Sequence, residues 1–462
     1  MKVVFLMADT FRRDHLGAYG NEWVHTPHLD RLAAQSVLFE RATIGSFPTV
    51  PNRRDTLLGH GDIGLPFNRW KPLERQEITL PERLAHRGVP SMWIGDTQNN
   101  VCRGINMNKG FTAWHLNRGQ EADPMWLDDS VPVHYPVPPH LIRYPERVWH
   151  QVLINRARRR VEADWFAPAT YLKAMEWLEC NYRREDFFLW VDTFDPHEPW
   201  DPPPHYEALY DPGYRGRRFD APTYGLRRQM GITDPELRNI RARYAGEVTM
   251  VDHWLGRFLA TLERLGIADD TTVIFTSDHG TLLDGTGDNG LICKPNTVGA
   301  DGMLMSAGRP MSKPVQYFPI YLNVARIPLL IRPAGMTRGR RTKAIVQPWD
   351  LTATLLDLFG LPQPPELIGS SLTPILEGKA TKHRDVAICG TNTLAQALTP
   401  RWLYTVWRDA LRDPILLDTQ ADPHCRRNVL ADHPAVVRRL HGAIVAFMRA
   451  QAIDEDLIAR YG

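Results

Sequence analysis

Cysteine is scarce in this chain, with only Cys102, Cys180, Cys293, Cys389 and Cys425 among 462 residues. They form no close pair and no metal-type spacing, which excludes a disulfide framework; an odd, sparse set points instead to a reducing cytoplasm. Long apolar runs are missing as well. No stretch approaches the roughly 20 residues that a bilayer-spanning helix needs, and Lys2–Met7 is too short for the apolar region of a signal peptide. Nor is there an excess of charge of one sign. Lys+Arg 55 against Asp+Glu 53 leave a formal +2, which gives no electrostatic basis for binding nucleic acid or a membrane surface. An internal repeat, a low-complexity tract, a P-loop and a dinucleotide-type glycine motif are all absent from the sequence. What the composition leaves is a soluble, cytoplasmic, globular protein, long enough for one large and one smaller domain.

Several short apolar runs end in polar residues. Lys2–Ala8 reads as a strand buried on both faces of a parallel sheet, and it ends in Asp9-Thr10. Ser91–Gly95 ends in Asp96-Thr97, Phe187–Val191 in Asp192, and Thr272–Thr276 in Ser277-Asp278-His279-Gly280. Ligands of open α/β sheets bind beyond the carboxyl ends of the strands. Asp278 and His279 are therefore a good metal pair, and the glycine after them lets the backbone approach closely. Taken alone, Asp9 reads first as a turn cap. Asp195-Pro-His197-Glu-Pro199 holds a histidine rigidly between prolines, either as a general acid or oxyanion contact or as a loop histidine packed on Trp200. Helices are expected over 78–86, 171–182 and 235–265, and over the very basic stretch 147–162, which reads as a solvated or subunit-contacting helix.

The segment Thr49-Val-Pro-Asn-Arg53 puts a hydroxyl two residues before a proline and four before an arginine. Proline suits the first turn of a helix, and the free N–H groups there favour an anion, with Arg53 adding a charged fork. By itself the segment is also an ordinary Pro-led helix start.

Taken in order, these pieces resemble the sulfatase family of the alkaline phosphatase superfamily. The motifs are strand–Asp9, Thr-x-Pro-x-Arg with Leu57-Leu-Gly59, Asp-Pro-His-x-Pro, Ser277-Asp-His-Gly280, Gly290-Leu-Ile-Cys-Lys294 and Arg326-Ile-Pro-Leu-Leu-Ile331. The resemblance implies an α/β fold: a large, mostly parallel sheet flanked by helices over residues 1–378, with an irregular or helical insertion at about 119–165 and a loop insertion at about 295–318. A smaller C-terminal α+β subdomain with a short antiparallel sheet follows over 379–462. It also implies a divalent metal on Asp9, Asp278 and His279, with the nucleophile Thr49 on the same ion. Arg53, His197 and Lys294 then hold the substrate's charged oxygens and the leaving group, with Lys313 a rival to Lys294. Asp195 is a further substrate-binding candidate, or with His197 a ligand of a second ion.

Three departures shape the expected chemistry. Thr49 stands where sulfatases carry the Cys or Ser that becomes formylglycine, an aldehyde threonine cannot form. Thr10 replaces a second aspartate, and His279 replaces an asparagine. Fewer carboxylates and an imidazole favour Mn or Zn over Ca. The expected activity is metal-dependent hydrolysis of phosphate mono- or diesters or phosphonate esters, closest to the phosphonate monoester hydrolase and phosphodiesterase branch. One metal per chain, a small anionic ester as substrate and a homo-oligomer complete the expectation. Sulfate-ester hydrolysis by an unmodified threonine, and a non-catalytic binding protein on the same scaffold, are the alternatives.

Overall fold

The computed structural model describes residues 1–63, 70–294 and 317–462. Lys313 and nearly all of the 295–318 insertion lie outside them. In chain order the strands are β1 (Lys2–Ala8), β2 (Val37–Ala42), β3 (Ser91–Gly95), β4 (Ala113–Leu116), β5 (Phe187–Thr193), β6 (Gly225–Leu226), β7 (Thr271–Thr276), β8 (Leu282–Leu283), β9 (Leu291–Cys293), β10 (Leu329–Arg332), β11 (Arg340–Val346), β12 (Ala387–Gly390), β13 (Leu394–Leu398), β14 (Trp402–Trp407) and β15 (Ile415–Asp418). The longer helices are α1 (Pro27–Ala34), α2 (Thr49–Leu58), α3 (Leu80–Ala85), α4 (His150–Arg156), α5 (Phe166–Asn181), α6 (Asp234–Arg264), α7 (Pro348–Leu358) and α8 (Pro434–Ala450).

The main sheet has eight strands in the order β11-β2-β10-β7-β1-β5-β3-β4. β1 sits near its centre, parallel to β5 and β7, while β10 runs against both β7 and β2. Successive residues of β1 enter opposite cores: Val4, Leu6 and Ala8 face one side with α1, α5 and α6, and Val3, Phe5 and Met7 face the other with α2 and α7. A strand with both faces covered must be apolar throughout, which is why these runs do not alternate with polar residues.

β12–β15 form a separate four-stranded antiparallel sheet. One face, through Cys389, Leu403 and Leu417, joins the main core on the α2 side, and the other packs on Leu440, Ile444 and Met448 of α8. This small sheet also reaches the candidate nucleophile. Gly390 takes a hydrogen bond from the Phe47 backbone N–H at 2.8 Å and donates its own to Gly45 at 3.2 Å, and the Gln347 amide donates to the carbonyls of Ile44 and Ile388.

Two expectations need correction. The basic helix predicted over 147–162 is helical only to Arg156; Arg158 and Arg160 are exposed, but Arg156 and Arg159 turn inward. Arg156 pairs with Asp201 and Asp220, and Arg159 with Asp201. Asp350, which the sequence presents as a strand-end carboxylate ahead of a helix reaching Phe359, lies instead in the first turn of α7, where it accepts the Gln347 N–H at 2.8 Å. Among the described residues no helix is long and apolar enough to cross a membrane.

Candidate active site

Thr49 is the first residue of α2, with Pro51 inside its first turn. Its Oγ1 lies 3.5 Å from Nε2 of His279. Asp9, Asp278 and His279, all buried, bring one ligand atom each to within 4.8 Å of one another. Each sits just past a strand end, Asp9 after β1 and the pair after β7, and neighbouring backbone fixes both. Asp9 N–H bonds to Thr193 at the end of β5 (2.9 Å), and Asp278 accepts the Thr10 N–H (3.0 Å) and its neighbour's N–H at His279 (2.8 Å). The close approach that Gly280 permits is explicit: a Cβ there would lie 1.9 Å from the Asn323 carbonyl oxygen. Thr10, at φ 56°, is a β-branched residue in the left-handed region, a strained conformation of the kind concentrated at functional sites.

The donor set fits a divalent cation. Both Asp9 carboxylate oxygens are buried without a hydrogen-bond donor; the one arginine beside them, Arg53, is shared with Asp192 and Asp278, so this group of buried carboxylates calls for a further counter-charge. Burial, and then the neighbouring Asp278, push the Asp9 carboxyl well above the usual range. Burial acts the same way on Asp278, but His279, Arg53 and Lys294 outweigh it and hold that carboxyl low. His279 is pushed down to about 4 by burial despite Asp278. Its Nδ1 meets the Gly280 carbonyl at 2.8 Å, so Nδ1 carries the proton and the Nε2 lone pair faces the carboxylates, as a metal ligand's must.

Arg53 is brought into this ring of carboxylates. Its fork pairs with Asp192 at 2.8 and 2.6 Å, and Nη1 reaches Asp278 at 2.7 Å and Asp9 at 3.3 Å. Asp192 had no assigned role from sequence. A carboxylate closing the apolar run Phe187–Val191 is the signal that could have found it, because a charge in a buried strand requires a partner. His197 and Lys294 also meet, Nε2 to Nζ at 2.7 Å. The His197 ring stacks on Phe194 at 4.0 Å rather than on Trp200.

Other candidates are not brought to the metal group. Asp195 accepts the Ala167 N–H at the start of α5 at 3.1 Å, and burial pushes its carboxyl up to about 6. Asp96 accepts from Phe194 N–H (2.7 Å) and the Thr170 hydroxyl (2.8 Å), tying the end of β3 to the loop after β5. Trp200 is fully buried and donates to Pro196, so it does not line an open pocket.

A sequence model of the sulfatase family matches residues 2–361. The chain is 26% identical to an arylsulfatase of Clostridium perfringens over 83% of its own length and 80% of that protein. It is 23% identical to an N-acetylgalactosamine-6-O-sulfatase of Bacteroides thetaiotaomicron, covering 95% of this chain and 91% of the other. The phosphonate monoester hydrolase of Agrobacterium radiobacter superposes with a TM-score of 0.70 over 98% of this chain and 96% of that one, at 22% identity, which establishes the shared fold.

Proposed function

Since the chain belongs to the sulfatase family, a family of ester hydrolases, we propose that it hydrolyses phosphate mono- or diesters or phosphonate esters, with Thr49 as nucleophile and one divalent ion. The observation that carries the reading is the threonine itself, its hydroxyl 3.5 Å from a histidine of the metal-type cluster. A sulfated formylglycine hydrate releases its acid by collapsing to the aldehyde; an esterified threonine has no such exit.

Asp9, Asp278 and His279 would hold the ion, with the Thr49 oxygen beside them, and the imidazole favours Mn or Zn over Ca. Such an ion lowers the pKa of a coordinated hydroxyl and polarises the ester. The Thr49 hydroxyl gives up its proton to solvent, and its oxygen attacks as the bond to the leaving oxygen breaks. That oxygen keeps the electron pair and takes a proton from the Lys294–His197 pair. Arg53 and Lys294 offset the negative charge of the transferring group. Water then attacks the group on Thr49 and regenerates the hydroxyl. Asp195, bonded to the start of α5, has a supporting role for the His197 loop in this reading.

Sulfate-ester hydrolysis is the second reading, favoured by the relatives named as sulfatases. Aryl phosphate monoester, phosphate diester, phosphonate and sulfate substrates, each assayed with Mn, Zn and Mg, decide between them. We expect a phosphorus ester to be fastest, and Thr49→Ala to lose at least about 10³-fold in kcat, in the range of a deleted nucleophile. Faster turnover of the sulfate would reverse the preference. No turnover of any ester with any metal would favour a binding protein, and about two bound ions per chain would end the one-metal version. A cytoplasmic location and self-association belong to the same proposal.

A further inference from the structure

His197 has a second neighbour besides Lys294. Oε2 of Glu198 lies 3.4 Å from His197 Nδ1. Glu198 is completely buried, and Oε2 has no hydrogen-bond partner among the described residues. Its other oxygen, Oε1, accepts the Tyr224 hydroxyl at 2.5 Å, and Arg143 Nη1 stands 3.6 Å from that oxygen. Arg143 in turn donates to the Tyr224 hydroxyl at 2.8 Å and pairs with Glu121. Backbone pairing holds this clamp: Arg143 N–H bonds to Ala221 at 2.9 Å and Thr223 N–H to Leu141 at 2.8 Å.

A buried carboxylate held on one oxygen and open on the other has one direction left in which to act, and here that direction is the imidazole. Nδ1 also faces the Glu198 carbonyl at 2.5 Å. Both Glu198 acceptors therefore sit on the same nitrogen, which fixes the proton on Nδ1 and turns Nε2 toward Lys294.

We propose that Glu198 is a positioning residue for His197, its carboxylate clamped by Tyr224 and Arg143 so that Nε2 faces Lys294 and the leaving oxygen. As the ester bond breaks and the leaving oxygen keeps the electron pair, one N–H of the Lys294 ammonium passes its proton to that oxygen while another stays bonded to Nε2. With Nδ1 tied to Glu198, Nε2 remains an acceptor that aims the ammonium, and water reprotonates Lys294 before the next turnover. Burial, and then Lys294 and Arg143, disfavour a charged His197, which keeps Nε2 free of a proton of its own. The inference rests on the reading of His197 and Lys294 as the leaving-group side of the site.

The test compares Glu198→Gln, Tyr224→Phe and His197→Ala with the unaltered enzyme on 4-nitrophenyl, phenyl and alkyl esters of the acid turned over fastest. A good leaving group needs no proton; a poor one does. Glu198→Gln is expected to change kcat less than about 3-fold on the 4-nitrophenyl ester but to lower it about 10- to 100-fold on the phenyl and alkyl esters, within the range of general-acid catalysis. Tyr224→Phe should show the same bias more weakly, and serves if Glu198→Gln does not fold. An equal loss on every ester, or none, while His197→Ala remains selective, overturns the role of Glu198 and leaves that of His197 standing. An equal loss in His197→Ala as well, or no hydrolysis by the unaltered enzyme, overturns both.

Discussion

Asp9 is buried with Arg53, 3.3 Å away, shared among three carboxylates. Both its oxygens lack a hydrogen-bond donor, and burial and Asp278 oppose its charge. In metal-free protein, Asp9→Asn should therefore melt above the unaltered chain; with metal restored, the order should invert because a ligand is gone. Thermal melts with and without a chelator check this, and a metal-free variant that melts lower would contradict the strain attributed to Asp9. How legible each residue was from sequence follows from how local its partners are. Asp278 and His279 are adjacent, and Thr49 and Arg53 are one helical turn apart, so their pairing could be read directly. Asp192 meets Arg53 across 139 positions, and Arg143, Tyr224 and Glu198 meet through a long irregular insertion, where no periodicity marks the contact. Asp195 shows the opposite case: it lies two residues from His197 in sequence, yet its carboxylate accepts the Ala167 N–H at the start of α5.

Among the elements, the end of β7 holds the most tightly specified geometry. With Cβ placed 1.9 Å from the Asn323 carbonyl oxygen, Gly280→Ala must displace backbone. It is expected to cost about 1–3 kcal/mol and to weaken metal binding several-fold, read by denaturant unfolding and metal titration; unchanged affinity would mean that the strand end does not set the site. α6 offers a pH-dependent case. Asp252 in its middle accepts the N–H groups of His28 (3.2 Å) and Leu29 (2.7 Å) at the start of α1, and burial pushes its carboxyl from 3.8 up to about 7. Below about 4 both folded and unfolded chains hold this proton; between about 4 and 7 only the folded chain does. The unfolded state thus binds fewer protons, and this group's contribution to stability falls as pH rises through that window. Asp252→Asn should flatten that slope in melting curves taken across it, and an unaltered slope would refute the assignment. The apolar strands were readable because burial on both faces leaves unbroken runs. The basic stretch after Pro145 was read only in part, because composition cannot tell the outward Arg158 and Arg160 from Arg156 and Arg159, which turn in to meet Asp201 and Asp220.

At the scale of the whole molecule, the main and small sheets share a core. Cys389, Leu403 and Leu417 lie in the same cluster as Val3, Phe5 and Leu355. Calorimetry of the full chain should accordingly give one cooperative transition, and two well-separated ones would show that residues 379–462 fold independently. The order of strands and helices was legible because each element carries its own pattern; the seating of the small sheet against the turn before Thr49 was not, since its contacts are backbone hydrogen bonds that any sequence can make. That seating has a consequence for the timing of synthesis. Gly45 and Phe47 take their backbone partners from Gly390, more than three hundred residues later in the chain. A ribosome that has delivered Thr49, both aspartates and the lysine has still not delivered the edge that holds the turn before Thr49 in place. The turn before Thr49 therefore stays unanchored until Gly390 emerges, and a message truncated before that point yields a protein that carries Thr49, both aspartates and the lysine without the edge that holds this turn.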